Sequence, residues 1–177
     1  MTTVTPELSR PLRFDTIAGV RHPVLITATP EECALLAVRF GLGSVSSLSA
    51  DVTITLKNDT VDAVGMLTAQ VDQLCVVTGE AIPTPLSVPF HIRFIPITAH
   101  EGSDEIEIDA DDLDIIEHDG QAIDLGEAIA QTLGLSLDPF PRGPNATTIL
   151  KRAGVMQEGD VRPLSALSGL KDLLPKA

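Results

Sequence analysis

Residues 67–96 read LTAQVDQLCVVTGEAIPTPLSVPFHIRFIP, and the fold turns on this stretch, from Leu67 to Pro96. Leading into its first half, Val64 and Met66 are followed by Leu67, Ala69, Val71, Leu74, Val76 and Val77. They mix apolar with polar positions as a pleated strand does. In the second half Phe90, Ile92 and Phe94 alternate with His91, Arg93 and Ile95, so one face is oily and the other mostly polar. That is the pattern of an antiparallel sheet wet on one side. Thr78-Gly79-Glu80 supplies the turn between the two strands. Pro83, Pro85 and Pro89 cannot donate to a ladder, which places the start of the second strand at an edge or outside regular pairing.

Upstream, Val52, Ile54 and Leu56 alternate with Asp51, Thr53 and Thr55, predicting a half-buried strand over 50–57. Asn58-Asp59-Thr60 is turn chemistry, so three consecutive antiparallel strands are the simplest arrangement. A helix precedes them. Thr29 fits its N-cap, Pro30 its first position and Glu32 the carboxylate of a capping box, with Gly41 as the C-terminal cap. Cys33, Leu36, Ala37 and Phe40 share the face turned to the sheet. Leu42 to Ser47 reads as a connector and Arg10 to Ile17 as a first strand.

Downstream, Ile106 and Ile108 alternate with Glu105, Glu107 and Asp109, as in an edge strand guarded by charge. Asp124 caps a second helix, with Glu127 in its first turn, Leu125, Ile129 and Leu133 as its stripe, and Pro139 as its stop. Pro141 to Pro163 reads as an extended arm, and Leu164 to Leu174 as a short amphipathic piece. The expected class is α+β: an antiparallel sheet of about 5–7 strands, open or barrel-like, two main helices and a C-terminal extension. Residues 1–140 form the single domain in this reading and 141–177 the arm.

Charge is segregated along the chain. The formal net charge is −13, and residues 101–138 hold thirteen of the 25 acids without one Lys or Arg. From 139 onward the balance reverses. An acidic pole repels phosphate backbones and attracts a basic protein. No apolar run approaches the roughly 18 residues that span a bilayer, and the first residues lack a secretory core, so a cytoplasmic, non-membrane protein is expected. Cys33 and Cys75 are then reduced rather than bridged.

Catalytic and metal patterns do not assemble. His22, His91, His100 and His118 are scattered, and the acids from Asp109 to Asp114 misalign with a calcium loop at the positions requiring Gly and Glu. Gly41-Leu42-Gly43-Ser44 is no dinucleotide fingerprint, no P-loop or nucleophile elbow occurs, and no cofactor is expected. Trp and Tyr are absent, which removes the usual stacking platform for single-stranded nucleic acid; Phe140 is the one aromatic in an exposed, basic setting.

Three blocks in order carry a resemblance. Leu74 to Thr78 with Val88 to Pro96 forms the first, including Cys75, Phe94 and Pro96. Ile123 to Glu127 with Leu133 to Pro139 forms the second, including Asp124, Leu125 and Pro139. Pro163 to Lys171, with Leu164, Leu167 and Leu170, forms the third. Together they resemble the bacterial YceD-like family, also called the large ribosomal RNA subunit accumulation proteins. The chain departs from that pattern at Thr78, where a second Cys is common, which leaves a metal role without its second thiol. It departs again at Leu164, where an aromatic is usual.

The resemblance implies a non-enzymatic factor for accumulation of large-subunit ribosomal RNA, with ribosomal proteins as neighbours. Charge adds the expected contact: a basic ribosomal protein held by Glu105, Glu107, Asp109, Asp111, Asp112, Asp114 and Glu117. Pro163, Leu164, Leu167, Leu170 and Lys171 form a second candidate contact, for a partner's groove or for the chain's own sheet. The alternatives are direct rRNA binding through the basic tail and a small enzyme of unrecognised type.

Overall fold

The computed structural model describes residues 6–17, 22–97 and 114–155. Strand β3 (Ser44–Lys57) turns into β4 (Thr60–Leu74), which pairs along nearly its whole length with β5 (Ala81–Pro96). β4 is therefore the middle strand of the sheet, and the 67–96 ribbon pairs as its pattern predicts. Asn58 and Asp59 both adopt positive φ, 46° and 64°, as a tight two-residue hairpin requires. At the other end Gly79, at φ 72°, turns the chain between β4 and β5.

A short strand, β2 (His22–Thr27), adds antiparallel to β3, and β6 (Asp114–His118) adds parallel to the last five residues of β5. The sheet order is β2-β3-β4-β5-β6, and it stays open. Before Ile92, β5 has β4 on one side and no described strand on the other. Pro83, Pro85 and Pro89 share one parity, so their missing N–H groups all fall on that free side. The expected edge is there.

Two helices cover one face. α2 (Pro30–Arg39) packs over β3, and α3 (Leu125–Ser136) over β4 and β5. Thr29 and Glu32 make the reciprocal capping box, and Gly41 ends the helix at φ 62°. Leu36, Ile129 and Leu133 are sealed against Leu48, Ile54, Val61, Leu67, Ile92 and Phe94. Close approach fixes one glycine in the sheet: a Cβ on Gly65 would lie 2.1 Å from the Asp51 carbonyl oxygen and 2.8 Å from the Phe90 ring.

A second, two-stranded sheet ties the N-terminal segment to α3. β1 (Pro11–Arg13) pairs antiparallel with β7 (Ala122–Asp124). Asp124 then does three things at once: it accepts the Glu127 N–H at 3.1 Å as the N-cap of α3, the Arg10 N–H at 2.8 Å, and the Ser9 hydroxyl at 2.6 Å. Arg10 in turn grips Glu32 of α2 with bonds of 2.7 and 2.8 Å, holding that carboxyl down to about 2. Arg39, at the end of α2, clamps Glu127 of α3 and reaches Glu7.

Several elements differ from the sequence expectation; β6 and β7 fall where no strand was expected, and the edge strand expected around Glu105 to Asp109 lies outside the described residues. Only residues 11–13 of the 10–17 segment are strand; Phe14–Ile17 forms the short helix α1, which buries Ile17. β2 falls where no element was expected. β3 starts at Ser44 rather than 50, because a register shift between Val45 and Ser47 breaks the alternation there. Within the expected arm, residues 146–152 form helix α4 (Ala146–Arg152).

Candidate functional site

The acidic segment follows β5 in the chain, and its first described residues are those of β6. Asp114 and Glu117 are exposed on β6, at the edge of the sheet. Glu105, Glu107, Asp109, Asp111 and Asp112 lie outside the described residues, as do Pro163, Leu164, Leu167, Leu170 and Lys171. The acids 124, 127 and 138 belong elsewhere: Asp124 and Glu127 are engaged in the α3 clamps, and Asp138 accepts the Phe140 N–H at 2.9 Å.

At the root of this segment is a cavity of about 500 Å³. Phe14, Pro96 and Ile97 form its apolar wall, and Asp59 and Asp119 its acidic rim. His118 also lines it and is buried. Its Nε2–H donates to the Asp59 carbonyl at 2.8 Å, its Nδ1 accepts the Gly120 N–H at 3.0 Å, and Phe14 lies 4.5 Å away, ring to ring. Both nitrogens are used, which fixes the Nε2–H tautomer. The left-handed Asp59 thus joins the β3–β4 hairpin to the turn after β6. In the sequence Asp59 reads as turn chemistry and His118 as one of four scattered histidines; their proximity arises from the parallel pairing of β6, for which no local signal exists.

The opposite end of the ribbon gathers other motif positions. Cys75 begins the β4–β5 turn, where its N–H donates to the Glu80 carbonyl and its own carbonyl accepts from Gly79. The chain after Pro139 crosses this turn as a strap: the Val76 N–H donates to the Pro141 carbonyl at 2.9 Å, and the Gly143 N–H donates to Cys75 Sγ at 3.3 Å. Gln73, buried, donates to the Asp138 carbonyl at 2.9 Å. The Thr78 hydroxyl and the Gly143 N–H together pull the Cys75 thiol down to about 7.

Leu74, Val76 and Phe140 stay substantially exposed beside the strap. Phe140 is 70% exposed next to the exposed Arg142, as its flanking prolines and charge suggest. Of the remaining motif positions, Phe94 is core at 1% exposure, Leu125 is buried at the start of α3, and Pro96 ends β5 at the cavity. Among the described residues no three His, Cys, Asp or Glu side chains are grouped to hold a metal ion, and no helix is long and apolar enough to cross a membrane.

The Cys75 turn, the Phe94-x-Pro96 strand end and the Asp124 to Pro139 helix are thus three parts of one folded unit. The family model described as large ribosomal RNA subunit accumulation protein YceD matches residues 63–173. The chain belongs to this family. No curated protein and no solved structure matches it. Membership links the YceD chain to accumulation of large-subunit ribosomal RNA, and places the ribbon, α3, the strap and the tail inside the family's extent, with α2 and β1 to β3 before it.

Proposed function

We propose that this YceD protein is a non-enzymatic factor of large-subunit biogenesis that holds a basic ribosomal protein through the acids at 105, 107, 109, 111, 112, 114 and 117. The supporting observation is charge placement: thirteen acids and no Lys or Arg between residues 101 and 138, with Asp114 and Glu117 exposed on the edge strand. Such a surface lowers the free energy of a cationic protein beside it and raises that of a phosphate backbone. The mechanism asks nothing of a metal or cofactor. Holding a ribosomal protein free of non-specific RNA until its site is ready would sustain accumulation of the large-subunit RNA.

The test is affinity capture with the full chain on nuclease-treated lysate, beside a variant carrying amides at those seven positions. Enrichment of basic large-subunit proteins, lost in the amide variant and weakened by salt, is the expected result. Capture that disappears with nuclease and ignores the amides would instead support the second reading, direct rRNA binding, which the exposure of Phe140 beside Arg142 favours. In either case the segment from Pro163 to Lys171 is a second proposed contact, checked by substituting Leu167 and Leu170 together with Ala in the same assay.

A further inference from the structure

We propose that the cavity between Phe14, Asp59 and Asp119 is a receptor for an arginine side chain of the basic partner. The proposal rests on the reading above for the partner's class and adds where one of its residues is gripped.

The chemistry of the walls selects this occupant. Arginine needs an apolar surface for its stem, an aromatic face or edge for its plane, and carboxylate oxygens for its five N–H donors. Phe14, Pro96 and Ile97 supply the first two, and Asp59 and Asp119 the third. Asp119 spends one oxygen, Oδ1, on the Gln121 N–H at 2.9 Å. Among the described residues no side chain is paired with its Oδ2 or with the Asp59 carboxylate.

Among the described residues no cation satisfies them. The described lining contains no Lys or Arg. The flanking Arg13 is committed to Asp15, with bonds of 3.2 and 2.9 Å. His118 has both nitrogens occupied and presents ring surface. Position adds to the argument: the acidic segment departs from Ile97, a wall residue, and rejoins the sheet in β6, which ends at His118. A basic protein drawn to that segment has this cavity at its root.

The experiment uses the full chain labelled with ¹⁵N and N-acetyl-arginine amide as the probe. Expected are saturable shifts at the amides of Phe14, Ile97 and Gly120. The double variant Asp59→Asn, Asp119→Asn should bind at least fivefold more weakly. Asn tolerates the left-handed φ at 59 and keeps an Oδ1 for the Gln121 N–H at 119, so the fold survives; unchanged amide shifts at Leu36 and Ile129 verify it. Equal affinity in the two proteins overturns the proposal, as does a short single-stranded RNA that moves the same three amides. Ribosomal-protein capture lost with the seven amides but intact in the Asp59/Asp119 variant also overturns it, while the reading above survives. Arginine shifts that vanish in the double variant support the cavity even where capture fails.

Discussion

Replacing Asp124 with Ala should unfold more than a helix end. Its carboxylate accepts three hydrogen bonds from three parts of the chain: the Glu127 N–H, the Arg10 N–H and the Ser9 hydroxyl. Loss of the cap costs about 1 kcal/mol, and each of the two part-buried donors left without an acceptor costs about 1 kcal/mol more. The total is roughly 3 kcal/mol, a large share of a marginal stability. Asp124→Asn keeps Oδ1 for both N–H groups, and the Ser9 hydroxyl can rotate to accept from the new amide, so its cost is nearer about 1 kcal/mol. Urea unfolding followed by circular dichroism separates the cases, with a midpoint drop of about 1.5 M expected for Ala on a slope of about 2 kcal/mol/M. An Ala variant within about 0.5 kcal/mol of wild type, or an Asn variant as damaged as Ala, would refute the view that this position is a structural knot.

Three further outcomes follow from contacts described above. Gly65→Ala should destabilise by about 2 kcal/mol or more, because the new methyl meets the Asp51 backbone oxygen and not only the movable Phe90 ring; thermal unfolding measures it. Glu32, held at about 2 by Arg10, has a folded value below its ordinary one, so its stabilisation is complete above about pH 4.5 and fades as pH falls toward 2. The wild type's advantage over Glu32→Gln, about 1 kcal/mol for a partly exposed pair, should therefore shrink across that window in unfolding measured at stepped pH. Replacing Pro83, Pro85 and Pro89 together with Thr restores outward N–H groups on the free side of β5, and sedimentation should then show self-association absent from the wild type.

Local chemistry made the centre of the fold readable. The alternation from Phe90 to Ile95, the Asn58-Asp59 turn, the Thr29–Glu32 box and the Asp124 cap are each complete within a few residues, and each occupies its expected place. What escaped depends on partners far along the chain. β2 is six residues with a proline and finds its register only against β3. The bulge at Val45 and Ser47 disguises the start of β3. α4 contains two Thr and no side-chain cap bond, and its buried Ala146 follows the strap anchored on Cys75. In the candidate site Asp114 and Glu117 were legible as members of the acid run, but the strand that carries them was not, and the cavity required knowing that β6 runs parallel to β5.

That one parallel pairing determines how the acid-rich stretch can be edited. Residues 97–113 must carry the chain from the finish of β5 back to a register beginning at Ile92, a doubling-back that a tight turn cannot make. The stretch is therefore a tether fastened at both ends, unlike a terminal tail that can be clipped away. Excising it would pull β6 off the sheet, uncover Ile92 and Phe94, and deprive Asp59 of His118, so that a loss of partner capture would report a broken scaffold. A neutral spacer of equal length leaves the strands where they are and asks the question about charge alone.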